Sequence, residues 1–298
     1  MAAPSAFEKV PAALRAIVPA RFRGDIPIVP VVRLSGAIGI SSPLKPGLTL
    51  ANVARSLERA FAMHNARAVA LSINSPGGAA AQSHLIHRRI RALADEKKIP
   101  VIAFVEDVAA SGGYMIACAA DEIIAYESSI VGSIGVVGGS FGFDKLIEKI
   151  GVERRLYTSG ENKAMLDPFL PEKPEDVERL KALQREIHES FIALVKARRG
   201  DKLDSRETAL FSGAYWTGQR GRELGLVDAI GDLRTTLRER YGDKVRTPLI
   251  AERGFALFGR KAAGVEQLLN RPNFAGLSIA DDLVATLEAR ALWSRFGL

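Results

Sequence analysis

Residues 104–119 read F-V-E-D-V-A-A-S-G-G-Y-M-I-A-C-A, and the fold turns on them. An apolar strand, Val101–Val105, is expected to lead into a short acidic loop at Glu106 and Asp107. A corner of small residues follows, Ala109, Ala110, Ser111, Gly112 and Gly113. The apolar run after it reads as a buried helix, Ser111–Ala119. A hydroxyl at such a corner stands at a helix N-terminus, where N–H groups lack intrahelical partners and negative charge is favoured. Two glycines let another backbone come close. That suits a nucleophile whose reaction develops an oxyanion. By itself, though, the stretch reads first as a plain N-cap, for which Ser is a preferred residue.

Outward from the corner, the chain alternates strands and helices. Ile26–Leu34 reads as an opening strand, with Pro27 and Pro30 confining it to a sheet edge. Thr49 caps an amphipathic helix running to Met63, and Ala68–Ile73 is a strand ending in Asn74-Ser75-Pro76-Gly77-Gly78. A helix spans Ala79–Ala94 and a short strand Glu122–Ala125. Ser129–Gly142 is glycine-dense and reads as tight turns around buried strand pieces. It is no phosphate loop, because it lacks the terminal G-K-[ST]. A helix at Phe143–Ile150, a strand at Glu153–Thr158 and a loop at Ser159–Pro171 precede a long helix, Pro174–Arg199. Helices at Gly218–Leu224 and Leu233–Tyr241 flank a strand at Leu226–Val227. The alternation implies an α/β fold with a mostly parallel sheet and flanking helices. The expected organisation is an N-terminal arm (1–25), one α/β domain (26–241) and a C-terminal extension (242–298). That extension has a possible strand at Val245–Ala251 and helices at Gly254–Leu269 and Ile279–Phe296.

Composition bounds the function. With 298 residues, 47% of them hydrophobic and 25% charged, the chain suits a globular domain with a sizeable core. The net charge of +7 is dispersed in short runs such as Arg198–Arg199 and Arg238–Arg240, without the basic, aromatic-interleaved stripe of a nucleic-acid binder. A single cysteine, Cys118, excludes an internal disulfide and reads as a small buried hydrophobe. The histidines are His64, His84, His87 and His188, without cysteine partners, so no metal or other cofactor is expected. No run approaches the roughly 18 apolar residues that cross a bilayer, and no secretory signal opens the chain. Residues 6–23 are amphipathic and basic, and are expected to contact a membrane surface peripherally or to dock on a neighbouring subunit. The expected location is cytoplasmic, at most peripheral to the inner membrane.

Two glycine corners, Ser75–Gly78 and Ala110–Gly113, follow consecutive strands. In a parallel sheet both lie at the carboxyl-end edge, where ligands bind. The N–H groups of Gly78 and Gly112 are then candidates to converge on one oxyanion beside Ser111. A nucleophilic serine needs a base. No histidine sits in a loop positioned for that role. A lysine base must be neutral, a drop of roughly three units from about 10.4 that costs about 4 kcal/mol. Lys163, in G-E-N-K-A-M-L-D-P-F (160–169), is followed by apolar residues, but by spacing alone it reads as a surface lysine rather than a base.

Four blocks in this order, L-S-I-N-S-P-G-G (71–78), D-V-A-A-S-G-G-Y (107–114), V-G-S-I-G-V (131–136) and S-G-E-N-K (159–163), closely resemble the signal peptide peptidase (protease IV) family of Ser-Lys serine peptidases. The similarity runs from Val31 to about Ile230, including F-S-G-A-Y-W-T-G-Q-R-G-R-E-L-G-L-V-D (211–228). The resemblance implies a ClpP/crotonase-type fold, Ser111 as nucleophile, Lys163 as general base, a Gly78 N–H in the oxyanion hole and Ser133 orienting the lysine amine. It implies cleavage of short, extended, apolar peptides such as signal-peptide remnants, by a ring- or dome-shaped homo-oligomer. Many members carry an N-terminal anchor or a duplicated domain, and the chain is expected to represent the short, unanchored form. Two other readings compete. One is a crotonase-like acyl-coenzyme A enzyme using carboxylates such as Glu106 or Asp107. The other is a non-catalytic oligomeric scaffold.

Overall fold

The computed structural model describes residues 26–40, 47–250 and 279–298. Their elements are β1 (Val31–Ser35), α1 (Leu50–Phe61), β2 (Val69–Ser75), α2 (Ala80–Lys97), β3 (Val101–Ala110), α3 (Gly112–Ala117), β4 (Glu122–Ala125), β5 (Ile130–Gly132), α4 (Asp144–Lys149), α5 (Pro174–Arg199), β6 (Tyr215–Thr217), α6 (Gly218–Glu223), β7 (Ala229–Ile230), α7 (Leu233–Tyr241) and α8 (Ile279–Ser294). The strands form one sheet in the order β1-β2-β3-β4-β7, with β5 beside the end of β3 and β6 beyond it. Every pairing is parallel except β5 with β6. The expected α/β architecture, a mostly parallel sheet with flanking helices, is therefore present.

Local sequence explains the elements around the site. Thr49 caps α1, its hydroxyl accepting from the Asn52 N–H. The face that α1 buries, Val53, Leu57, Ala60 and Phe61, packs with Leu71, Ile73, Ile86 and Ile90 over one side of the sheet. The other side is closed by Leu237 of α7 against Val31, Ala70, Ile102, Phe104 and Ile124. β2 and the first half of β3 are thus buried on both faces, as central parallel strands are. Their near-continuous apolar runs follow from that.

Four expectations need correction. Glu106 and Asp107 form no loop: β3 continues through them to Ala110. The register passes from Ile73↔Val105 to Ser75↔Ala109, so β3 advances four residues while β2 advances two. The bulge turns both acids toward partners. Glu106 pairs with Arg33 at 2.8 Å and accepts from the Ser72 hydroxyl, while Asp107 accepts from the Asn74 amide at 2.7 Å. Beyond the bulge, β3 changes its neighbour from β4 to β5. Bulges commonly re-aim a strand in this way. Glu153–Thr158 forms no strand, because it has no edge to pair with among the described residues and every residue from 148 to 163 is exposed. The strand expected at Leu226–Val227 falls at Ala229–Ile230; Leu226 and Val227 are fully buried below it. The opening strand begins only at Val31, and 245–250 adds isolated bridges beside it, Ile28↔Arg246 and Val31↔Leu249. The helix expected at Gly254–Leu269 and the arm at 6–23 lie outside the described residues.

Candidate active site

Parallel pairing of β2 with β3 brings both glycine corners to the same sheet edge, and they touch. A Cβ on Gly77 would stand 2.8 Å from the Ser111 Cβ and 3.0 Å from the Gly112 nitrogen, and Gly77 has φ +100°. Only glycine fits there. Gly78, at φ +140°, is held against Ile38: the Ile38 N–H donates to Gly77 O at 2.8 Å, and the Ala79 N–H donates to Ile38 O at 2.8 Å. In this parallel bridge the N–H of Gly78 itself points away from Ile38.

Ser111 occupies the N-cap position of α3, but it does not cap. Its φ of 52° and ψ of −122° are outside the usual regions for a side-chain-bearing residue, and its hydroxyl makes no bond to the helix. Such a conformation costs of order 1–3 kcal/mol and persists only where neighbours enforce it. Here they do. The Ser111 N–H donates to Gly132 O at 2.8 Å, and the Met115 N–H donates back to Ser111 O at 3.0 Å. Gly132 presses against the Trp216 ring of β6, where a Cβ would not fit. Below the helix, the fully buried Tyr114 hydroxyl donates to Leu226 O at 2.8 Å. Ser111 is half-buried, with its hydroxyl unpartnered among the described residues. The Gly112 N–H, first in α3, has no intrahelical acceptor.

Ser111, Gly78 and Gly112 line one cleft of about 330 Å³ with Ile38, Met115, Gly135, Val137 and Phe191. Its size matches small ligand sites. Sequence reading found the two corners but not the far walls, which come from Ile38–Ile40 and from Leu292 and Arg295 at the end of the chain. The glycines at 36 and 39 were the available signal for the first wall. No local signal marks the second.

Ser133 lies next to Gly132, buried and at φ 53°, its N–H donating to Ala214 O at 2.7 Å. The loop is also held from α5, where His188 Nε2 bonds Ile134 O at 3.1 Å. Lys163 is not brought to this group. It is exposed, it does not line the cleft, and no hydrogen bond joins it to Ser111 or Ser133 among the described residues. Its segment exposes large apolar side chains, with Phe141 79%, Ile150 65% and Tyr157 90% exposed. Cys118 is fully buried, and burial pushes its thiol up to about 12, so it is no nucleophile. No cluster among the described residues is suited to a metal ion.

A strained serine at a strand-to-helix corner, beside two free N–H groups on an apolar cleft, is the arrangement of a serine-type peptidase. Comparison with known proteins narrows the class. The model of peptidase family S49 matches residues 93–244, and that of the NfeD1b N-terminal domain matches residues 37–145. The chain belongs to peptidase family S49. It is 34% identical over 210 residues to the chloroplastic serine protease SPPA of Arabidopsis thaliana, covering 69% of this chain and 31% of that one. It is 55% identical over 293 residues to a Brucella abortus protein named Na(+)/H(+) antiporter NhaA, covering 97% of this chain but only 39% of that one. Among solved structures it is similar to a serine-to-alanine mutant of the 1510-N membrane-bound stomatin-specific protease. The TM-score is 0.44 and the identity 19%, over 76% of this chain and 95% of that one.

Proposed function

We propose that the chain is a Ser-Lys endopeptidase acting on short, extended, apolar peptides, including signal-peptide remnants. The observation that carries this reading is the enforced backbone of Ser111, with its unpartnered hydroxyl beside the Gly78 and Gly112 N–H groups. The Ser111 Oγ attacks the scissile carbonyl carbon while the neutral Lys163 amine takes its proton. The two N–H groups donate to the oxyanion, Ser133 orients the amine, and the C–N bond breaks as Lys163 returns the proton to the leaving amine. Water, deprotonated by Lys163, then cleaves the acyl ester and restores Ser111. Loss of one oxyanion donor costs about 10²–10³ in rate.

The exposed position of Lys163 fits a homo-oligomer. Burying the apolar 137–169 segment against a second copy of the chain desolvates the amine and carries a lysine to a serine. Residues 6–23 supply a further docking arm, to that copy or to a membrane surface. The antiporter name is not carried over: the matched stretch is a minor part of the Brucella protein, and no described helix is long and apolar enough to cross a membrane. The acyl-coenzyme A reading is disfavoured because Glu106 and Asp107 are held by Arg33, Ser72 and Asn74, off the cleft.

Fluorophosphonate labelling tests the reading. The expected result is one adduct on Ser111, lost in Ser111→Ala. No adduct, together with tight binding of a coenzyme A thioester, overturns it.

A further inference from the structure

The cleft beside Ser111 is lined almost entirely by uncharged groups. Among the described lining residues Arg295 is the one with an ionisable side chain. It comes from the segment after α8, and its backbone is held in place while its side chain is exposed. Phe296, 8% exposed, packs on Val108 and Ala110, so its anchor is the residue before the nucleophile. The Tyr215 ring meets Phe296 edge-on with centroids 5.1 Å apart, and the Tyr215 hydroxyl donates to Arg295 O at 3.2 Å. Leu292, one turn earlier, lines the same cleft. The backbone of Arg295 is therefore held by its own hydrogen bond and by a buried neighbour, while its guanidinium forms no ion pair among the described residues.

We propose that Arg295 determines specificity, by pairing with a carboxylate on an otherwise apolar peptide bound in the cleft. This rests on the peptidase reading and adds a preference to it. An apolar wall alone discriminates by size, whereas an exposed guanidinium carried on a held backbone, its Cζ 6.0 Å from the Phe296 ring centroid, prefers a planar anion over its amide isostere. The carboxylate has two sources, an acidic side chain or the free end of the peptide.

The test uses the full chain and paired apolar peptides. One pair carries Glu or Gln at each position near the scissile bond, with an amidated end. The other carries no acid and ends in a free carboxylate or an amide. Wild type should favour the carboxylate member of one pair by about two- to five-fold in kcat/KM, the size of a solvent-accessible ion pair. Added salt should shrink the ratio. Which pair responds identifies the source. The ratio should fall to about one in Arg295→Gln, invert in Arg295→Glu and be partly kept in Arg295→Lys. Phe296→Ala, which keeps the charge but removes its anchor, should also lose it, with thermal unfolding checking that each variant is folded. A ratio of one in wild type for both pairs, or one unchanged in Arg295→Gln, overturns the proposal. The same ratios read as Kd on Ser111→Ala do not depend on catalysis. Failure of cleavage with the binding preference intact therefore counts against the peptidase reading alone. Failure to bind either member of any pair counts against both.

Discussion

The strands that deliver Gly78 and Ser111 and the segment that carries Lys163 are built on opposite terms. Around Ser111, β2 and the first half of β3 are buried on both faces, α3 is wholly buried, and the corner glycines at 77, 78, 112 and 113 each abut neighbouring atoms closely enough to exclude a Cβ. From 148 to 163 every residue is exposed, no strand forms, and ion pairs such as Arg155 with Glu153 are local. The first region holds Ser111 in its strained conformation through contacts among the described residues. The second gives its lysine no apolar surroundings among the described residues. The difference teaches that the fold preorganises the serine half of the proposed dyad, while the described residues do not preorganise the lysine half.

The largest effect should come from breaking the second half. Lys163→Ala is expected to lower kcat/KM on an apolar peptide by at least about 10³, since residues of a dyad act as a unit. Circular dichroism should be unchanged, because the side chain is exposed. If a neighbouring copy supplies the lysine, mixing Lys163→Ala with Ser111→Ala chains should restore part of the activity, because some interfaces then hold one intact pair. A mixture as inactive as its components assigns the dyad to a single chain.

The preorganised half breaks differently, through stability. Arg199, 4% exposed, donates to Gly225 O at 2.7 and 2.9 Å and forms a two-pronged pair with Asp228 at 2.7 and 3.1 Å. Lys202 and the Ile123 N–H complete the shell of the carboxylate. Burial works against the Asp228 charge, but these bonds more than offset it and hold its carboxyl below the usual range. The cluster fixes the turn whose Leu226 carbonyl receives the Tyr114 hydroxyl, three residues beyond Ser111. Arg199→Ala leaves a buried carboxylate underpaired and should cost about 3–5 kcal/mol in urea unfolding. A cost below about 1 kcal/mol would show that the cluster does not brace the corner.

Much of the preorganised half was legible in sequence. Thr49, the 3.6-residue spacing of α1 and the Pro-capped start of α5 are local signals, and those helices form where expected. The glycine corners were legible because φ above zero and close approach leave few other choices. The bulge at Glu106 and Asp107 was not, since the partners that keep them in the sheet, Arg33, Ser72 and Asn74, lie on two other strands. Nor was β6, whose three residues are too few for a periodicity. Ser111 was placed correctly as a corner, but as a possible cap it was misread: its φ and ψ turn the hydroxyl away from the helix. Arg295 reaches the cleft through Phe296 and Tyr215, contacts that no local pattern encodes.

The smallest expected effect separates stability from catalysis by pH. His87 on α2 is buried, and neither ring nitrogen has a hydrogen-bond partner. Burial, then the charges of Arg198 from α5 and of His84 and Arg91 from its own helix, lower its pKa to about 4, against the opposing pull of the Cys118 carbonyl in the segment after α3. In the unfolded chain it titrates near 6.5. Above that value both states are neutral and His87 has no linked effect. Between about 6.5 and 4 the unfolded chain binds a proton that the folded chain refuses, so stability falls with falling pH, by about 3 kcal/mol in total at ~1.4 kcal/mol per unit. Below that window the effect is constant. His87→Leu removes the titration, and at neutral pH it loses no hydrogen bond. Its urea midpoint should therefore match wild type near pH 7 and exceed it near pH 4.5. Because His87 lies outside the Ser111 cleft, the pH profile of peptide cleavage above pH 7 should be the same in both. Midpoints that move in parallel over that window would mean that the ring is hydrated when folded.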